Sequence, residues 1–138
     1  MNKKKLIIAV IIIGVIGAFV SYKKYNKPHI NITNAKSDLS ITSNKILADF
    51  SSDENKANTL YLDKIVEVTG TISKIKVEKE KGIITLKTND DFGSVLAHLS
   101  EKATLKINNI KEGEAITIKG ICTGYLMDVI VVKCEIIN

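Results

Sequence analysis

The sequence predicts an all-β domain with short helices: a five-stranded barrel with one helix packed against it, preceded by an N-terminal transmembrane helix. Three observations predict this. An apolar run from Leu6 to Tyr22 is bracketed by lysines. From Ile65 onward, apolar residues recur at every second position in segments separated by turn residues. The only two cysteines, Cys122 and Cys134, fall on either side of the last turn.

The apolar run comes first. As a helix its ~17 residues would rise about 25 Å, slightly less than a ~30 Å hydrocarbon core. A cleaved signal peptide would end in small residues at the cut. Here "GAFVSYKK" places Phe19 and Tyr22 there instead, so the run reads as an uncleaved anchor. The alternative is cleavage, which would leave a secreted or periplasmic domain. No cysteine follows the run closely, which excludes a lipid-modified cysteine at that place. Lys3, Lys4 and Lys5 precede the run and Lys23, Lys24 and Lys27 follow it, so the positive-inside bias is slight. A short N-terminal tail stays inside as a rule, which predicts a single-pass cell-membrane protein with its C-terminal domain outside the cytoplasm. The organisation expected is a cytoplasmic N-terminus over residues 1–5, an anchor over 6–22, a flexible tether over 23–42 and the barrel over 43–138. The tether is read from a segment rich in Asn, Ser, Thr and Lys around Pro28. Asn31-Ile32-Thr33 matches a glycosylation sequon, relevant only in a eukaryotic secretory route.

The net charge of +5 misleads for the folded part. Six of the 20 lysines flank the apolar run, leaving 14 from Pro28 onward against 15 acids. A phosphate-binding domain needs a positive excess. The chain also lacks arginine, the residue that forks to phosphate or guanine.

A helix is expected after Ser43 as N-cap, with Ile46, Leu47, Phe50, Ala57, Leu60 and Tyr61 at helical spacing and a break near "SSDEN". The first strand places Val66, Val68, Gly70 and Ile72 on one face. Its phase then slips to Ile75 and Val77, which predicts a β-bulge around Ser73-Lys74 and a sharp bend. A turn over 79–82 leads to a second strand, with Ile84 and Leu86 inward and Thr85 and Lys87 outward. "NDDFG" is the next turn and "SVLAHL" the third strand. Ala103, Ile107 and Ile110 suit a short helix after Ser100. Ile116 and Ile118 face inward on the fourth strand, as do Ile130, Val132 and Ile136 on the fifth. Helix, three strands, short helix, two strands is the order of an OB-fold, a five-stranded Greek-key barrel.

By parity, Cys122 and Cys134 both point inward on adjacent strands. A two-residue turn at Leu126-Met127 would set Cys122 opposite Val131; a longer one centred on Asp128 would set it opposite Cys134. In an oxidising compartment the expectation is a disulfide between them, contributing ~2–3 kcal/mol. The alternative is two reduced core cysteines.

The runs "ANTLYLDKIVEVTGTISKI" and "ITIKGICTG", with the late Cys134, resemble the tRNA_anti-like family of bacterial OB-fold proteins. The matching positions are Ala57, Tyr61, Lys64, Val68, Thr69, Gly70, Lys119, Gly120, Cys122, Gly124 and Cys134, from about Ser43 to the end. The resemblance implies the fold, and an exported or membrane-associated protein, without implying a defined activity. Asp63 stands where members often carry glycine, which bears only on the local turn.

Function is expected to be binding rather than catalysis. His29 lies in the tether segment and His98 stands alone on an outward position. Asp90 and Asp91 are explained by their turn. No phosphate loop or metal spacing is present, so no cofactor is called for. The candidate ligand contacts are Lys74, Lys76, Lys87, Tyr125, Leu126 and Met127, near the barrel cleft, for a protein, glycan or small ligand. The alternative is single-stranded nucleic acid, which needs outward aromatics on the strands for stacking; the first three strands offer none.

Overall fold

A computed structural model describes residues 2–25 and 32–137. Pro28, His29 and Asn31 lie outside them, as do the other residues of 26–31 in the segment read as a tether. The chain divides into two units at residue 30. The first holds the helix α1, Lys3–Tyr25, whose 23 residues have a mean hydropathy of 2.4 over their most apolar stretch. None of its side chains is buried, so its apolar surface is long enough and bare enough to cross a membrane.

The second unit opens with a strand that composition does not signal. β1, Leu39–Thr42, runs parallel to the first barrel strand, Leu39 facing Val66 and Thr42 facing Thr69. Asp38 fixes its entry: its N–H donates to Ile65 O at 2.7 Å, and its carboxylate accepts from Ile65 N at 2.9 Å. Ile32 is buried as well. The folded unit therefore extends N-terminal to Ser43.

Thr42, one residue before the expected Ser43, caps α2, Ser43–Ser52, by accepting from Lys45 N. The helix breaks where anticipated. Asp53 ends α2 and its side chain caps α3, Glu54–Tyr61, by accepting from Lys56 N. Ile46, Leu47, Phe50, Ala57 and Tyr61 from this pair are buried on the barrel.

The barrel consists of β2 (Ile65–Glu78), β3 (Lys81–Leu86), β4 (Val95–Leu99), β5 (Ala115–Leu126) and β6 (Asp128–Ile136). The order is β2-β3-β4-β6-β5, and a further β2–β5 pairing closes it. One strand serves both ends of the sheet because it bends. Residues 65–71 of β2 pair with β5 and 72–78 pair with β3, with a bulge between Ile72 and Lys74, where the hydrophobic phase slips. The barrel is the expected OB-fold.

The short helix after Ser100 is present but divided into α4, Glu101–Thr104, capped by the Ser100 side chain, and a single 3-10 turn over Ile107–Asn109. Ala103 and Ile107 face the barrel.

On β6 the predicted phase is reversed. Val129 and Val131 are fully buried, whereas Ile130 and Val132 are only half-buried. "VIVV" is apolar at every position, so alternation carries no phase there. Lys133, at a φ of 54°, forms a bulge that returns Cys134 to the interior.

The tight turn and a second register shift, between Cys122 and Gly124, decide which residue Cys122 faces. Cys122 faces Val131, as a tight turn requires, and Cys134 sits beside Gly120. Both are free, buried thiols, in place of the expected disulfide. Cys134 donates to Val131 O at 3.4 Å, and burial raises the pKa of both.

Candidate functional site

Two hairpin turns close the barrel's long ribbons. The β2–β3 turn puts Lys79 and Glu80 at φ 48° and 65°, the two left-handed residues of a tight hairpin. Its flanking pair is Glu78 and Lys81, so the whole tip is charged. The β5–β6 turn is tighter still: Leu126 pairs with Asp128 around Met127, at φ 66°. Here the side chains are apolar. Leu126 is 81% exposed and Met127 65%.

Tyr125, beside them, behaves differently. Its ring stacks on Phe50 of α2 with centroids 5.6 Å apart, and Phe50 in turn meets Tyr61 at 5.7 Å. Tyr61 Oη donates to Asp49 Oδ2 at 2.5 Å, while Lys45 donates to Asp49 Oδ1 at 2.7 Å. Burial pushes Asp49 upward, but these two bonds outweigh it and hold the carboxyl below its ordinary value. Tyr61 is driven well above the usual phenol range by burial and by its carboxylate partner. The sequence reading grouped Tyr125 with Lys74, Lys76 and Lys87; the structure seats it on the helix pair instead.

Those lysines lie elsewhere. In the β2–β3–β4 register Lys74 faces Thr85, which faces Leu96; Lys76 faces Ile83, which faces His98. This is the outer face of the sheet, and Lys76 is paired with Glu78, whose carboxyl it holds low. His98 is half-buried there. Lys87 follows β3 directly, its N–H donating to Thr71 O and its carbonyl accepting from Ser43 Oγ at 2.8 Å. It lines a polar hollow of about 320 Å³ with Thr42, Asn44, Thr69, Thr71 and Asn89.

A larger groove, about 780 Å³, runs between α2 and the β3–β4 loop. Leu47 and Ala48 form its floor with Asn44 and Ser51, while Asp90, Asp91 and Phe92 form the opposite lip. The loop is held by its own hydroxyl and carboxylate: Thr88 Oγ1 donates to Gly93 O at 2.5 Å, and Asp90 Oδ1 accepts from Phe92 N at 2.9 Å. Phe92 is 83% exposed. Ser94 joins the loop to the apolar turn, its N–H and Oγ both donating to Asp128 Oδ1, at 2.8 and 2.7 Å. Thus Phe92, Leu126 and Met127 belong to two adjoining loops. Sequence reasoning took "NDDFG" for a turn and passed over Phe92; the signal was a large aromatic among polar turn residues. Among the described residues no group of three His, Cys, Asp or Glu side chains is placed to hold a metal.

The tRNA_anti-like family model matches residues 1–136, reaching beyond the domain to the first residue. Among solved structures the chain is similar to a Klebsiella pneumoniae protein provisionally described as a nucleic acid-binding lipoprotein. The TM-score is 0.60 at 18% identity, covering 71% of this chain and 91% of that one. It is also similar to the asparaginyl-tRNA synthetase of Pyrococcus horikoshii, with a TM-score of 0.43 and 18% identity over 57% of this chain and 20% of that one. A third likeness is to the S. pombe Stn1-Ten1 complex, with a TM-score of 0.43 and 11% identity over 54% of this chain and 58% of that one. At 18% identity the likeness to the Klebsiella protein is one of fold. No curated protein matches the chain.

Proposed function

The chain belongs to the tRNA_anti-like family, and on that premise we propose that it is a non-catalytic binding module held at a membrane by α1, with its ligand in the groove between α2 and the β3–β4 loop. The observation that carries this reading is Phe92, 83% exposed on the lip of a groove floored by Ala48 and the edge of the buried Leu47. Loop tips of soluble domains are ordinarily polar, and an exposed apolar cluster at a cleft is the usual mark of a contact surface. Membrane attachment is supported by the 23-residue apolar helix, about 35 Å long at helical rise. A short N-terminal tail ordinarily stays inside, which favours a domain outside the cytoplasm.

The test is a site-specific photocrosslink. With Phe92→p-benzoylphenylalanine in cells, an adduct is expected at residue 92 and none from the same group at Thr85 on the outer sheet face. Absence of an adduct at 92 sinks the reading.

A second reading, single-stranded nucleic acid, draws on one observation: Lys74, Lys76 and His98 share that outer face with Thr85. The fold often serves nucleic acid, but the folded part carries 14 lysines against 15 acids and no arginine. Binding to a random oligonucleotide that weakens steeply with salt is the result this reading requires.

A further inference from the structure

We infer that the groove accepts an extended polypeptide segment that carries a large apolar side chain next to a basic one. This rests on the reading of the groove as the ligand site and names the class of ligand.

Charge is the first argument. Asp90 and Asp91 stand on the lip. The lysine that lines the groove, Lys45, has its ammonium on Asp49 at 2.7 Å, so it does not neutralise them. Two carboxylates repel phosphate, which disfavours nucleic acid and anionic lipid headgroups here, and they attract an ammonium or guanidinium. The apolar wall is the second. Ala48 and the exposed ring of Phe92, above the buried Leu47, offer an apolar slot beside those carboxylates. The third is backbone chemistry. Asn44 spends Oδ1 on Asn89 N at 2.7 Å, which leaves its Nδ2 to donate to a peptide carbonyl. A volume of about 780 Å³ holds more than one residue. An apolar slot, an amide donor and an anionic lip in one groove fit a strand-like peptide with alternating apolar and basic residues.

The test uses the full chain in phosphatidylcholine nanodiscs and two fluorescent octapeptides, one alternating leucine with lysine and one alternating leucine with glutamate. Fluorescence anisotropy is expected to show the lysine peptide binding at least about tenfold more tightly. Phe92→Ser, and separately Asp90→Asn with Asp91→Asn, should each weaken it several-fold with an unchanged circular dichroism spectrum; the amide oxygen introduced by Asp90→Asn still accepts from Phe92 N. Equal binding of the two peptides, binding to empty nanodiscs alone, or indifference to both variants overturns the inference. So does light scattering that shows a dimer dispersed by Phe92→Ser, because the groove would then hold a second copy. Failure of the peptides with a persisting photocrosslink at residue 92 removes the peptide class and spares the groove; loss of both removes the groove too.

Discussion

The two hairpin turns solve one conformational problem with opposite side chains. Both place non-glycine residues in the left-handed region, Lys79 and Glu80 in one and Met127 in the other. At the β2–β3 tip every side chain from Glu78 to Lys81 is charged, as water would select. At the β5–β6 tip Leu126 and Met127 face solvent. The backbone asks for nothing apolar there, since the first turn does the same work with lysine and glutamate. What differs is the setting. The charged turn projects alone, whereas the apolar one adjoins Phe92 and stands on the Tyr125–Phe50 stack. Isolated exposed apolar residues, such as Leu105 after α4, are ordinary. Three on adjoining loops are not.

The contrast can be pressed hardest at one buried-side glycine in each ribbon, Gly120 and Gly82. In the β5–β6 ribbon a Cβ on Gly120 would lie 2.6 Å from Cys134 Sγ and 2.7 Å from Val132 O, neither of which can move far. Gly120→Ala should cost about 3 kcal/mol in chemical denaturation. In the β2–β3 ribbon a Cβ on Gly82 meets the ends of the Ile107 and Leu99 side chains, at 2.7 and 3.0 Å, and Thr104 Oγ1 at 3.5 Å, with no backbone atom among them. Gly82→Ala should cost about 1 kcal/mol; equal costs would deny that the ribbons differ in packing.

The footing of the apolar turn comes next in size. Tyr61→Phe removes the bond to Asp49 and should cost about 1.5 kcal/mol. The acid side follows by sign. Asp49 is held below its ordinary value of 3.8 in the fold, so its stabilisation is present above that pH and fades as pH falls through the lower folded value. In Tyr61→Phe the loss of melting temperature between about pH 5 and 2 should be shallower than in the parent. An unchanged slope would mean that the bond contributes nothing.

Smaller effects test the turns themselves. Lys79→Asn with Glu80→Gly suits two left-handed positions and should stabilise by about 0.7 kcal/mol. Leu126→Ser should leave stability within about 0.5 kcal/mol. A large loss on that change would show Leu126 to be structural rather than a contact surface.

Much of this architecture was legible in the residues alone. The slip after Ile72 gave the bulge that lets β2 serve both edges of the barrel. "SSDEN" gave the helix break, and Ser100 gave the cap of α4. Asp63, flagged against the glycine usual in the family, does adopt φ 61°, and its N–H donates to Cys122 O. What escaped was non-local or unphased. β1 is four residues long and owes its existence to pairing with residues 27 positions away. The run Val129–Val132 is apolar throughout, so no alternation could say which face was inward, and the bulge at Lys133 that returns Cys134 to the interior leaves no mark in the pattern. The groove needed α2 and the β3–β4 loop to be brought together, which local patterning does not encode.

The sulfur of Cys134 occupies the very space that a methyl group on Gly120 would need. Wrapped on every side, with burial holding its proton in place, it is hidden from reagents in the intact barrel. Alkylation can then proceed only during moments when the cylinder opens, and its speed becomes a clock for those openings. The molecule thus carries an internal gauge of its own breathing, readable by mass spectrometry without any introduced label.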